Sequence, residues 1–299
     1  LAGVRQSYQD PARREDLLDL IADVSPDENP LSTVLGNCSV SNTLHEWAEY
    51  YESRPSSNSK SVEGDDNTFA DLAQPTRKNN ITQIIKEVFA VSETALDVDG
   101  IIPMDAYNQE KARGMKRWKR KLEYAVLRGT KASGSSGAAR EMDGLISTTM
   151  QDGRYTVRSS GTSLGANEIA EMEIESFNIT DSALFDMLLT TGARKRDFAN
   201  LFTSAAPRIT TADDRRFTNG VDAIEGNYGQ LYEVRAHKDM PSTAVLAFRK
   251  DLVKIGYLGT PKHVMNGVSG DSMKGHIRGE ATVQANSARP FVYRIGYLG

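Results

Sequence analysis

The sharpest candidate for catalysis is the run GTSLG at residues 161–165, which matches the nucleophile elbow G-x-S-x-G. Ser163 would be the nucleophile, and Asp239 with His263 or His276, which follow it in the chain, could complete a triad. An α/β-hydrolase-like esterase is therefore one alternative function. An elbow, however, ends a buried and strongly apolar strand, whereas the preceding GRYTVRSS is polar. The composition of the run favours a surface loop.

The acidic run EGDD at residues 63–66 is the second candidate, because its carboxylates could hold calcium. A calcium loop needs acids at alternate positions, a central Gly and a closing Glu, and this run lacks that pattern. The four histidines lack paired zinc-ligand spacing, and Cys38 is the single cysteine. No glycine loop is followed by the Lys-Ser or Lys-Thr of a phosphate site. We therefore predict no metal, no cofactor and no catalytic residue.

A basic helix face is the third candidate. Apolar residues recur at steps of three and four over residues 104–128, between Pro103 and Gly129, which predicts a long helix. Its opposite face carries Arg113, Lys116, Arg117, Lys119, Arg120 and Lys121. Such a face could contact phosphates, so nonspecific DNA binding is a further alternative. Cations opposite an apolar stripe are more often solvated, or meet acids on a neighbouring subunit.

The elements that position these residues indicate an α+β protein. The chain has 299 residues and a formal net charge of -4, so its bulk charge indicates no polyanionic partner. No window approaches the ~18 apolar residues of a membrane span. Residues 42–52 and 77–91 are rich in aromatic and β-branched side chains and read as the two strands of a long hairpin. The 24 residues between them exceed an ordinary connection, which indicates a functional or disordered segment.

The remaining segments are assigned by periodicity and by cap and turn residues. We predict helices at 13–24, 180–192 and 205–214, strands at 199–204, 229–237 and 242–250, and a terminal hairpin around Asn286 and Ser287. An arm, a long ribbon and a terminal hairpin leave strand edges that one subunit cannot cover. Two-stranded ribbons are marginally stable alone. The chain is therefore predicted to assemble with copies of itself.

Several segments resemble, in order, the motifs of major head (capsid) proteins of tailed double-stranded DNA bacteriophages with the Hong Kong 97-like fold. They are REDLLDLIADVSPDENPLSTVLG, NTLHEWAEYY, EGDDNTFADLAQPTRKNN and ITQIIKEVFAVSETA. The resemblance continues through the long helix, GQLYEVRAHKDMP and the closing strands, so it covers most of the chain.

The resemblance implies a division of the chain into four parts. Residues 1–40 would be an N-terminal arm and 41–92 an extended β-hairpin loop. Residues 93–165 and 265–299 would form a peripheral domain with a spine helix at 104–128, and 166–264 an axial domain.

The function implied by the resemblance is structural and not enzymatic. Copies would form hexamers and pentamers of an icosahedral head that encloses double-stranded DNA through nonspecific contacts. Portal, scaffolding and cement proteins are possible further partners, and no membrane is involved. The protein would assemble in the host bacterial cytoplasm, mature by rigid rotation of subunits, and reside in the virion.

Charge pattern alone suggests where subunits meet. Glu63, Asp65 and Asp66 are expected to face basic residues of an adjacent subunit, with Lys116, Lys119 and Arg120 among the candidates. Further contact candidates are Phe69, Arg77, Lys78 and Arg113. Some relatives join a lysine to an asparagine between subunits. Lys60 lies in a suitable loop, but no catalytic acid or acceptor is identified, and we do not predict this bond.

Overall fold

The computed structural model describes residues 29–50, 60, 62–64, 66, 74–97, 106–147, 156–158, 166–179, 185–205, 223–268, 270–286 and 292–295. Its helices are α1 (Pro30–Val34), α2 (Glu93–Asp97), α3 (Ala106–Arg128), α4 (Ala166–Ile179) and α5 (Gly192–Ala205). The helix predicted at 13–24, and all but the first residue of the one predicted at 205–214, lie outside the described residues. None of the described helices is long and apolar enough to cross a membrane.

Twelve strands are present among the described residues. They are β1 (Gly36–Ser39), β2 (Leu44–Glu49), β3 (Thr76–Ile81), β4 (Gln83–Ser92), β5 (Thr156–Arg158), β6 (Met187–Thr190), β7 (Ala223–Glu225), β8 (Leu231–Ala236), β9 (Ala244–Phe248), β10 (Val253–Val268), β11 (Ser272–Ala285) and β12 (Val292–Ile295). They form a four-stranded sheet in the order β1-β10-β11-β4, a six-stranded sheet in the order β5-β12-β9-β6-β8-β7, and a two-stranded ribbon of β2 and β3. Mixed sheets with separate helices confirm the α+β class.

The long helix α3 packs across the four-stranded sheet. Trp118 is 2% exposed, and its Nε1 donates a hydrogen bond of 3.0 Å to the Ile85 carbonyl of β4. Beneath the indole ring, β11 carries Gly279, where a Cβ atom would collide with Trp118. Gly275 likewise makes room for Tyr107. The helix predicted at 104–128 is thus confirmed as α3, and its apolar stripe faces this sheet.

The six-stranded sheet lies between two apolar cores. Met187 and Leu189 of β6 belong to the core shared with α3, whereas Leu188 packs in a second core with Met172 of α4 and Phe198 of α5. Every residue of β6 and β9 is buried. The helix predicted at 180–192 is wrong in its described part. A strand buried on both faces gives a continuous apolar run that periodicity cannot distinguish from a helix.

The strand predicted at 77–91 divides into two at Thr82. Its first part, β3, pairs with β2 over six residues, and its second part, β4, pairs with β11 in the four-stranded sheet. At the junction the Thr82 amide donates to the Thr43 carbonyl (2.8 Å) and its hydroxyl donates to Glu280 (2.6 Å). The buried Asn80 side chain donates to the carbonyls of Asp143 (3.1 Å) and Val283 (2.8 Å). These bonds anchor the ribbon at its base. Because the predicted strand divides at Thr82, the described part of the ribbon is shorter than predicted.

Two further predictions are wrong. Residues 199–204, predicted as a strand, lie inside α5, where the buried Phe198 and Ala199 pack inward. The final strands do not pair with each other, because β11 pairs with β10 and β4, and β12 pairs with β9 and β5. The six-stranded sheet thereby joins β5 and β12 of the predicted peripheral ranges to strands of the predicted axial range. The domain division stays a prediction.

Candidate subunit interface

The acidic run lies in a turn of exposed residues, here called the loop tip (residues 60–66, of which 60, 62–64 and 66 are described). Glu63 and Asp66 are exposed, and Val62 is 75% exposed. Gly64 has a φ of 85°, a conformation that residues with a Cβ rarely adopt, and this glycine permits the turn. Asp65 and Phe69 lie outside the described residues. The loop tip therefore presents carboxylates and one apolar side chain to the surroundings.

The ribbon carries two of the predicted contact residues. Arg77 lies 3.7 Å from Glu46 across the ribbon, and 75% of its side chain is exposed, so this pair contributes little stability. Lys78 is half-buried and stands opposite Trp47. Arg77 is therefore available to a neighbouring molecule at small cost to the subunit.

The basic face of α3, here called the helix face, is partly occupied by the chain itself. Glu87 of β4 accepts one hydrogen bond from Arg117 (2.6 Å) and forms an ion pair with Lys121. Burial tends to raise the pKa of Glu87, but the bonds from Lys121 and Arg117 outweigh it and the pKa is lowered. Arg113 pairs with Glu110 at 2.9 Å.

The other predicted cations of the helix face differ in exposure. Lys119 is exposed, whereas Lys116 and Arg120 are half-buried and interact within the chain. The helix face is therefore largely compensated by intramolecular interactions.

The residues proposed for an esterase do not form one site. Ser163 lies outside the described residues. Asp239 lies beside His237, which is 3.9 Å from Glu123 of α3, whereas His263 bonds the Tyr107 hydroxyl at 2.9 Å. Tyr107 and Glu123 are separated by roughly 24 Å of helix. His276 bonds Asn266 and lies on the other face of the sheet from His263. Asp239 therefore cannot orient His263 as a triad requires.

The described residues also contain no cluster of three or more His, Cys, Asp or Glu side chains suited to a metal ion. Cys38 is half-buried, and burial raises the pKa of its thiol.

Comparison with known proteins decides the family. The sequence model of the SU10 major capsid protein family matches residues 3–292. The chain belongs to the SU10 major capsid protein family. The major capsid protein of Escherichia phage Phieco32 is 22% identical over 292 residues, covering 81% of this chain and 82% of the relative. The family is one of structural capsid proteins, and this comparison gives no support to the esterase alternative.

Solved structures show the fold of this family member. The chain resembles the structure of Mycobacterium phage Bobi with a TM-score of 0.63 and 14% identity, covering 95% of each chain. For Microbacterium phage Oxtober96 the TM-score is 0.64 at 13% identity, again covering 95% of each chain. The SrpI encapsulin complex of Synechococcus elongatus PCC 7942 gives 0.63 at 10% identity, covering 98% of this chain and 96% of the other. The Hong Kong 97-like capsid fold predicted from the sequence is confirmed.

A buried contact between the N-terminal segment and the spine helix was missed from the sequence. Glu123 is 2% exposed and accepts hydrogen bonds from the backbone amides of Leu31 (2.7 Å) and Ser32 (3.1 Å). Burial raises its pKa to about 7 and lowers the pKa of the adjacent His237. The signal in the sequence was an acid beside the apolar residues Leu122 and Ala125 of the stripe. In this family member, Glu123 ties the segment that contains α1 to α3.

Proposed function

We propose that many copies of this chain assemble as hexamers and pentamers into an icosahedral phage head that encloses double-stranded DNA. The observation that carries the proposal is the family match over residues 3–292. The ribbon of β2 and β3 supports it, because six paired residues per strand are marginally stable alone and require a surface to lie on. The chain acts as a building block and not as a catalyst.

The partners and location follow from this role. Assembly takes place in the host bacterial cytoplasm, and the finished protein is part of the virion. Portal, scaffolding and cement proteins join the head, and packaged DNA is contacted without sequence recognition. During maturation the subunits rotate as rigid bodies, and their N-terminal arms (1–40) and extended loops (41–92) slide over neighbouring subunits.

Contacts between copies involve the exposed charges of the loop and of α3. The candidates are Glu63, Asp65, Asp66, Phe69, Arg77, Lys78, Arg113, Lys116, Lys119 and Arg120. The exposure of Glu63, Asp66, Arg77 and Lys119 supports this assignment.

Electron microscopy of the purified chain tests the proposal directly. Expressed alone or with its phage's scaffolding protein, the chain should yield closed shells built from rings of five and six subunits. As a control, denaturant should dissociate the shells of the same preparation, and dialysis to remove the denaturant should restore them. A chain that stays monomeric at high concentration under both conditions would contradict the proposal.

A further inference from the structure

The four-stranded sheet has a second face that α3 does not cover. Along β11, Gly275, Ile277 and Gly279 point toward α3, so the alternate residues Lys274, His276, Arg278 and Glu280 point away from it. The neighbouring strands follow the same alternation, with Ile85 and Phe89 of β4 in the α3 core. The outer face is therefore a set of aligned, solvent-facing side chains.

Three cations on this face stand in one row. Arg278 of β11 is the register partner of Lys86 in β4 on one side and of Lys262 in β10 on the other. All three are exposed. With strands ~4.8 Å apart, Lys86 and Lys262 lie roughly 10 Å from each other across the sheet. We call Lys86, Arg278 and Lys262 the cation row.

The cation row is poorly neutralised by the described residues of its own subunit. Glu280 reaches Arg278 only at 4.0 Å and is itself bound by Arg140 at 2.8 Å. Within the described part of the chain, neither Lys86 nor Lys262 forms an ion pair. Like charges directly opposite one another on neighbouring strands destabilise a sheet. The row therefore lowers the stability of the isolated subunit, and we expect an anionic partner to bind it.

An apolar row lies beside the cation row. Two residues further along the strands, Val88, His276 and Val264 are register partners, and Val88 is 65% and Val264 44% exposed. Two residues along a strand correspond to roughly 7 Å. The face therefore offers cations and an apolar strip side by side.

The loop tip has the complementary composition. It places the exposed Val62 next to Glu63, with Asp65 and Asp66 following after the turn at Gly64. Glu63 and Asp66 are three residues apart, so they lie no more than about 10 Å from each other, within the width of the cation row. The base of the ribbon is anchored beside the same sheet by Asn80 and Thr82.

The geometry points to the loop tip of a second copy of this chain as the occupant of the cation row, with Val62 against Val88 and Val264. The inference rests on the proposed shell and replaces the helix face as the receiver of the loop-tip acids. The helix face already has Glu87 and Glu110 for its cations, whereas among the residues that the structure describes the cation row has the shared Glu280 alone.

Zero-length cross-linking of assembled wild-type shells tests this pairing. A carbodiimide joins a carboxyl group to an amine as an amide, and the water that is lost converts the reagent to a urea. Shells are assembled from equal amounts of ¹⁴N- and ¹⁵N-labelled chains, cross-linked, digested and analysed by mass spectrometry. We expect Glu63, Asp65 or Asp66 joined to Lys86 or Lys262, with one light and one heavy peptide in half of the products.

Other products would overturn the inference. Cross-links from the loop tip to Lys116 or Lys119 would restore the helix face as the receiver, and purely light or purely heavy pairs would show that the tip folds onto its own subunit. A wild-type chain that forms no shell would overturn the proposed function as well. Shells with the wrong cross-links overturn only the pairing.

Charge-swapped variants provide a second test. Lys86→Glu with Lys262→Glu, or Glu63→Lys with Asp66→Lys, should abolish shells while the isolated subunit stays at least as stable as wild type. The four changes together should restore shells. Arg113→Glu with Lys119→Glu is the matched control and should not restore shells of the loop-tip variant. If only the row variant fails, and it also loses salt-sensitive binding to a DNA oligonucleotide, the row binds nucleic acid and the inference is wrong.

Discussion

The helix face and the cation row carry the same kind of side chain but differ in what lies opposite them. On the helix face, Glu87 comes from the adjacent strand to bind Arg117 and Lys121, and Glu110 binds Arg113. In the cation row, Lys86 and Lys262 flank a third cation, Arg278. The charges of the helix face stabilise the subunit through ion pairs, whereas the like charges of the cation row lower its stability. We therefore expect a basic residue of this chain to mark an interface when its own subunit leaves it uncompensated.

The largest difference in stability effect should appear between adjacent residues of β11, which lie on opposite faces of the four-stranded sheet. Gly279→Val would push a branched side chain into the buried Trp118, and we expect the subunit to lose about 3 kcal/mol of unfolding free energy. Arg278→Ala, one residue away on the opposite face, should change it by less than about 0.5 kcal/mol. Urea denaturation of unassembled subunits measures both. Equal losses would contradict the assignment of the two faces.

The carboxylates of Glu123 in α3 and of Glu87 in β4 should change stability with pH in opposite directions. The pKa of Glu123 is raised by burial from 4.5 to about 7, so its stabilising effect is complete below pH 4.5 and is lost as the pH rises to about 7. At roughly 1.4 kcal/mol per pKa unit, the unfolding free energy of wild type should fall by about 3 kcal/mol relative to Glu123→Gln over this range. Urea denaturation of both proteins from pH 4.5 to 8 tests this, and a constant difference would contradict it.

Glu87 has a lowered pKa, so the stability that it provides is present above pH 4.5 and is lost as the pH falls below that value. Glu87→Ala should cost about 2 kcal/mol at pH 7, a figure reduced from that of a fully buried pair because Arg117 and Lys121 are 39% and 54% exposed. Glu46→Ala is the control, because its partner Arg77 is mostly exposed. Denaturation midpoints of the two variants should separate clearly. Equal midpoints would mean that the helix face is not held by Glu87.

The smallest expected effect is a gain in stability of the isolated subunit, whereas most substitutions lower stability. Arg278→Glu would replace the central cation by an acid between Lys86 and Lys262, and cross-strand attraction should stabilise the isolated subunit by about 0.5 kcal/mol. The same variant should assemble poorly, because the loop tip would meet an acid. Thermal unfolding and light scattering of one preparation measure the two properties. A variant that is less stable and still assembles normally would contradict the role of the row.

Local pattern was sufficient where an element has one buried side. The helix predicted at 104–128 is Ala106–Arg128, because its apolar stripe repeats at helical spacing over the whole length. Local pattern failed for MLLT, which is buried on both faces and therefore shows no periodicity. It also failed for residues 199–204, which belong to α5, a helix that packs through Phe198. Where periodicity failed, the fold was predicted from the motifs that resemble phage head proteins.

Only one side of the proposed contact, the loop tip, could be predicted from the sequence. The acids of the loop tip are contiguous in the sequence, so their charge is visible at once. The cation row is assembled from residues 86, 262 and 278, which only the pairing of three strands brings together. Glu87 is as ordinary in sequence as Lys86, and only the side of β4 on which each stands decides whether α3 neutralises it.

Cryo-electron microscopy of the assembled wild-type shell, at a resolution that shows side chains, would show directly which surface the loop tip contacts. We expect a carboxylate of Glu63, Asp65 or Asp66 within 4 Å of Lys86, Arg278 or Lys262 of an adjacent subunit, the distance of an ion pair. A loop tip that lies on the helix face, or a cation row that contacts nucleic acid in the shell, would contradict it.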